Sequence, residues 1–479
     1  MKTKSLHLLN LKEDTSSHVK EVLKEIKKSE RTLFYFHGGL TTKNYLKRLA
    51  PYLLQTMFSK AILGDKTHVV FIEYDTNPFD FRLLKDPFKN YFLKELFKFI
   101  KEKALNFIAK EEEKSIENFN NEPIFKENLE EYSDHHFLDD FLTNNIEDNK
   151  STSRGLKFKL KSLIRKAALK LLLLVKDKSK LIKLFTNYTL RYYYKTDHEN
   201  KTTTFVEECL KIKVFVRLSS LANIHWKKVN KSSCDLWNNN QGKSFLKELL
   251  KLHELRKGSE IPLKIDLVSH SAGSIPISYL FKKLQDNVVN TTEFINNTIM
   301  IVPAVRIKIF QNCVMNNYQI TKNLKIYLLD DYSEMRDETL KFFKASLLYF
   351  VSGVAEKVDF IGEMTILGMH RFFKNQSPYI NEERYNSDVS KFGNINRCKS
   401  FLFNILENRM VFVSTLDLVE DSFGMQVITT NGATHSGTKK PHESPELAKK
   451  IIHQLTEGIL NPEDIDSSLW NKKAIKYKI

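Results

Sequence analysis

The chain has 479 residues, with 75 Lys and Arg against 58 Asp and Glu, a formal net charge of +17. Hydrophobic residues make up 42% and include 34 Phe and 18 Tyr, which excludes a disordered or low-complexity chain. The 15 Gly and 11 Pro are too few for a collagen-like or Gly-rich linker architecture, and the length is ample for a sizeable core.

In chain order, the start MKTKSLHLLNLKEDTSSHVKEV lacks the continuous apolar stretch of a signal peptide. The longest apolar block, Ala167–Val175, is interrupted by Lys170 and is too short to cross a bilayer. Cys209, Cys234, Cys313 and Cys398 form no CxxC pair and fit a reducing compartment. A cytoplasmic protein is expected, either free or peripheral at a membrane surface. Short apolar runs rich in β-branched and aromatic residues follow at Thr32–Phe36 and His68–Ile72. Four more are Leu263–Val268, Thr298–Val302, Leu324–Leu329 and Met410–Ser414. Near-continuous apolar strands are what a parallel sheet covered on both faces requires, and most are followed by a helical stretch. The expectation is an α/β fold: a mostly parallel, doubly wound sheet with one large helical insertion after its second recognisable strand. The expected parts are 1–83, the insertion 84–255, and 256–479. Charge is segregated within the insertion. Glu111–Asp148 holds 13 acidic and two basic residues, and Leu156–Phe185 holds ten basic residues and one acid.

The strongest chemical signal is the strand Leu263–Val268 running into Ser269–His270–Ser271–Ala272–Gly273 and then a helical stretch. This small-x-Ser-x-Gly pattern is a nucleophile elbow, in which a strained turn exposes a serine and the positions two before and two after must be small. Ser269 stands where the pattern usually has Gly. The second signal is His37–Gly38–Gly39–Leu40 directly after an apolar strand. Glycines let the backbone approach a ligand, so that N–H groups can face a developing oxyanion; His37 is expected to brace this loop. A serine nucleophile needs a base and an orienting acid, in the chain order Ser, acid, His. Acids after later strands are Asp330, Asp331, Glu334 and Asp337, then Asp417 and Asp421. The base expected in the loop after the last strand, Val427–Ile428, is His435, with His442 in reserve.

The segments FYFHGGL, IHWKKVN, IDLVSHSAGS, MIVPAV, DDYSEMRDETLKFFKASLLYFVSG, ILGMHRFF and NGATHSGTKKP together resemble uncharacterised α/β-hydrolase-fold proteins of the serine-hydrolase superfamily, lipase- or esterase-like. The resemblance covers the sheet segments and much of 298–455 and does not reach 84–215. It implies an acid in the turn before the SLLY run, best matched by Asp337 with Asp331 second. It implies acyl transfer without a cofactor or metal. Ser271 would attack a carboxylic ester, His435 would move the proton, and the N–H groups of Ala272 and of Gly39 or Leu40 would form the oxyanion hole.

Insertions in this fold commonly cap the nucleophile. Leu156, Leu160, Leu163, Ala167 and Leu171 have helical spacing, with Lys157, Lys161, Arg165 and Lys166 on other faces. Such a basic amphipathic helix within 156–185 can dock on an anionic membrane, which makes a lipid ester a natural substrate. Its alternative use is packing inside the cap. A catalytically inactive hydrolase-fold scaffold with this membrane-binding insertion is the competing function. Nucleic-acid binding is disfavoured, because only Arg191–Lys195 interleaves basic and aromatic residues and no reading module or zinc spacing is present. Nothing in the sequence marks an oligomeric state.

Overall fold

The computed structural model describes residues 7–39, 43–76, 216–286, 292–335, 337, 345–356, 364–373, 388–403, 409–414, 426–429 and 444–466. All of them belong to one compact unit. The calls on 84–215, on Leu40, on Asp417 and Asp421, and on His435 and His442 lie outside the described residues.

Among the described residues eight strands form a single sheet in the order β1-β3-β2-β4-β5-β6-β7-β8. They are β1 His7–Leu9, β2 Arg31–Phe36, β3 Thr67–Ile72, β4 Lys264–His270, β5 Ile295–Ile301, β6 Thr321–Leu329, β7 Met410–Ser414 and β8 Gln426–Thr429. Every pairing is parallel. A parallel sheet must be covered on both faces, and β3 and β5 are accordingly buried at every position. Helices α1 Ser16–Lys28, α2 Lys43–Gln55, α3 Val216–Asn238, α4 Asn240–Arg256, α5 Ser274–Asp286 and α6 Pro445–Leu455 supply the cover. In α1 the residues Val19, Val22 and Ile26 fall on one buried stripe, and Thr15 caps the first turn by accepting from the His18 N–H. On one face of the sheet Phe34 meets Phe245 of α4 edge-on at 6.0 Å, and Phe36 meets Trp237 of α3 at 6.2 Å. Tyr35, pointing the other way from the same strand, meets Phe58 beyond α2 at 5.8 Å.

Three expectations change. The strand β1 is absent from the apolar runs read in the sequence, so the long segment follows the third strand, not the second. The C-terminal part of the expected 84–255 insertion, residues 216–256, is α3 and α4. Trp237 of α3 and Phe245 of α4 pack on Phe36 and Phe34 of β2, so both helices belong to the core's helical layer. Finally, β5 runs Ile295–Ile301, which leaves Val302 outside the strand.

The strand order also locates a crevice. The chain leaves β2 for β3 in one direction and leaves β4 for β5 in the other, while β2 and β4 pair side by side from Arg31↔Lys264 to Phe36↔Ser269. Loops departing in opposite directions from adjacent carboxyl ends open a gap between them, which is where parallel sheets bind ligands. Among the described residues no helix is long and apolar enough to cross a membrane.

Candidate active site

The carboxyl end of β4 carries Ser271. Its φ is +50°, a left-handed backbone that L-residues rarely adopt, and the chain passes from strand through one tight turn, Ser271–Gly273, into α5. The turn is held from behind. The Ser271 carbonyl accepts from the Ala304 N–H at 3.0 Å and from the Ser274 hydroxyl at 2.8 Å. The Trp237 indole N–H donates to the Pro276 carbonyl in the first turn of α5 at 2.8 Å. The need for glycine at 273 is steric: a Cβ there would stand 2.2 Å from the Phe36 carbonyl oxygen and 3.0 Å from that of His37. Ser269 is fully buried in β4 beside Phe36. Its hydroxyl has no hydrogen-bond partner among the described residues.

A second strained residue adjoins the first. Val302, at the end of β5, has φ +46°, an outlier for a β-branched side chain. Two residues on, Ala304 supplies the hydrogen bond to Ser271. The ILGMH segment docks against this loop, with Leu367 N–H on the Val305 carbonyl at 2.8 Å.

The carboxyl end of β2 carries His37–Gly38–Gly39, and this loop lies against the elbow. A Cβ on Gly38 would stand 2.6 Å from His270 Nδ1 and 3.3 Å from Ser271 Cβ, and one on Gly39 would stand 3.5 Å from Ala272 Cβ. His37 is 1% exposed, so it is a wall of the site and not a surface base. Its ring stacks on Tyr74, just beyond β3, with centroids 4.7 Å apart and an interplanar angle of 24°. The Tyr74 hydroxyl donates to the His37 carbonyl at 2.8 Å. Burial pushes the Tyr74 phenol well above its ordinary pKa, so it remains a neutral donor.

The acidic residues cluster at the carboxyl end of β6. Asp330 caps the short helix Asp331–Met335 by accepting from the Ser333 N–H at 2.7 Å. Asp331 Oδ1 accepts from the Tyr349 hydroxyl at 2.6 Å and from the Arg371 N–H at 3.2 Å, with Arg371 Nε 3.9 Å away. The Arg371 guanidinium is itself buried and lies 4.0 Å over the Tyr349 ring. Asp337 is buried, two residues past the end of this short helix, and its N–H donates to the Glu334 carbonyl at 3.4 Å.

The described residues thus bring together Ser271, Ala272, Ser269, His270 and Gly273 from β4 with His37, Gly38 and Gly39 from β2. Asp331 and Asp337 stand at the end of β6, two strands from β4. Sequence reasoning missed Tyr74, Val302, Tyr349 and Arg371. A hydroxyl-bearing aromatic two residues after a buried strand marks Tyr74 in retrospect, whereas proline at 303 argues for extended backbone at Val302 and so hides its strain. No cluster of three or more His, Cys, Asp or Glu among the described residues suits a metal ion. Compared with protein-family models, with curated proteins and with solved structures, the chain matches none.

Proposed function

We propose that the protein is a serine hydrolase of the α/β-hydrolase type that cleaves a carboxylic ester through an acyl-enzyme. The observation that carries the reading is Ser271. It is a non-glycine residue in left-handed backbone, at a strand-to-helix turn, packed against a Gly-Gly loop at the sheet's switch point. Backbone strain of this kind costs about 1–3 kcal/mol and persists where the surroundings enforce it for a purpose.

In this reading the Ser271 hydroxyl attacks the ester carbonyl carbon and passes its proton to His435, which lies in the sequence between β8 and α6. The tetrahedral oxyanion is met by the N–H groups of Ala272 and of Gly39 or Leu40. Collapse expels the alcohol, protonated by His435, and water then releases the acid by the same steps in reverse order. Asp337 is the orienting acid. Asp331 is the weaker choice because its Oδ1 is already engaged by Tyr349 and Arg371. Asp337 follows β6, two strands from β4, at the same carboxyl edge of the sheet as Ser271. The basic block at 156–185 of the sequence is suited to an anionic surface, which makes a lipid ester one candidate among carboxylic esters.

The test is covalent labelling by a fluorophosphonate probe. Wild type is expected to label at Ser271, Ser271→Ala to lose the label, and His435→Ala and Asp337→Asn to label slower by several orders of magnitude. A folded wild type that reacts no better than Ser271→Ala overturns the enzymatic reading and leaves the inactive scaffold.

A further inference from the structure

The loop after β2 has two consecutive peptide groups whose carbonyls are held by side chains, one by Tyr74 from beyond β3 and one by the loop's own His37. In a trans peptide the C=O and the following N–H point in opposite directions, so pinning one aims the other. The His37 carbonyl accepts from the Tyr74 hydroxyl at 2.8 Å, which fixes the 37–38 peptide. The Gly38 carbonyl lies 3.0 Å from His37 Nδ1. A carbonyl can only accept, so Nδ1 carries the proton, and the 38–39 peptide is fixed by the imidazole with the Gly39 N–H facing away from that ring. Thr76 Oγ1 stands 3.4 Å from the same nitrogen, and the Tyr74 ring covers the imidazole face. Gly39 in turn abuts Ala272, whose N–H follows the nucleophile.

We propose that Tyr74 is a positioning residue that holds the oxyanion hole preformed, acting through His37 on the peptide that presents the Gly39 N–H. The inference rests on reading Ser271 as the nucleophile. It adds a role for the residues after β3, which the chemistry at Ser271 does not touch. Tyr74 is buried, and its hydroxyl is turned to the His37 carbonyl. Its hydroxyl fixes one peptide and its ring fixes the imidazole that fixes the next. Because an oxyanion exists only in the transition state and the intermediates near it, a misaimed donor lowers kcat while ground-state binding is retained.

The experiment is steady-state hydrolysis of p-nitrophenyl butyrate by wild type, Tyr74→Phe, Tyr74→Leu and Thr76→Val, with active sites counted by fluorophosphonate labelling. Tyr74→Phe keeps the stacked ring and loses one hydrogen bond. Its kcat per labelled site is expected to fall about tenfold with KM nearly unchanged. Tyr74→Leu also frees the imidazole and approaches the roughly 100–1000-fold loss of a missing donor. Thr76→Val falls about two- to threefold and serves as the second probe if a Tyr74 variant fails to fold. Wild-type kcat per site in Tyr74→Phe, or a loss explained wholly by fewer labelled sites, overturns the positioning role while the Ser271 assignment stands. Absence of label on wild type overturns both.

Discussion

Ser269 and Gly273 flank Ser271 at equal distance, yet the elbow places different demands on them. At 273 the limit is backbone: a methyl group would sit 2.2 Å from the Phe36 carbonyl oxygen, and a carbonyl in a paired strand cannot yield. Gly273→Ala is therefore expected to lower unfolding free energy by about 3 kcal/mol or more, measured by chemical denaturation. At 269 the side chain is tolerated, but its buried hydroxyl is unsatisfied among the described residues. Ser269→Ala should be neutral or stabilising by up to about 1 kcal/mol, and a clear loss of stability would show that the hydroxyl has a partner. Here the sequence was readable, since the pattern demanded small residues and Ser is small. Val302 was not readable. Its conformation is imposed by β6, where the Tyr327 carbonyl takes its N–H at 2.7 Å, and by the Ala304 bond to Ser271.

The edge strand β1 exists through tertiary pairing alone. Three residues carry too little periodicity to read, and His7–Leu9 becomes a strand because it pairs with β3 from Val70 to Ile72. This edge places His7 and His68 with ring centroids 5.0 Å apart, and His18 of α1 6.0 Å from His7. Burial, aided by the neighbouring His7, depresses the His68 pKa to about 4, and burial lowers that of His7 as well. The folded pKa lies below the unfolded value near 6.5, so the native state holds neutral rings. Their full contribution is present above that value and is lost as pH falls from about 6.5 towards about 4. The loss attributable to His68 is on the order of 3 kcal/mol. Denaturation midpoints of wild type and His68→Leu, measured between pH 7 and 4.5, should diverge in slope, with wild type falling more steeply. Parallel curves would remove His68 as the cause.

At the scale of the whole molecule, one ionic cluster ties distant parts of the chain together at the amino ends of the strands. Asp266 of β4 is fully buried, 3.2 Å from Arg31 Nε of β2, and accepts from the Asn297 amide of β5 at 2.8 Å. Burial holds its carboxyl above the usual range, opposed by Arg31 and by the amides of Asn297 and Asn296. Glu457, beyond α6, reaches Arg31 at 3.2 Å and Lys264 at 2.6 Å. Arg31→Met should cost about 3–5 kcal/mol, because it strands a buried carboxylate. Lys264→Met, at the exposed end, should cost under about 1 kcal/mol. A thermal melt showing equal losses would refute this division. The strand types and their alternation with helices were legible because a sheet covered on both faces needs apolar runs. Their neighbours were not, since β2 and β4 pair across 264 − 31 = 233 positions of chain and no local pattern encodes that.

That separation also sets an order of events on the ribosome. Once Ile72 has emerged, β1, β3 and β2 can pair, but the partner for the other side of β2 begins only at Lys264, after a further 264 − 72 = 192 residues. At about 5–20 residues per second the wait is roughly 10–40 s. Throughout it the apolar strand Arg31–Phe36 offers an unpaired backbone edge, the feature most prone to join a strand from another chain. The same adjacency that seats the glycine loop beside the nucleophile therefore leaves the β2 edge waiting for its β4 partner during synthesis.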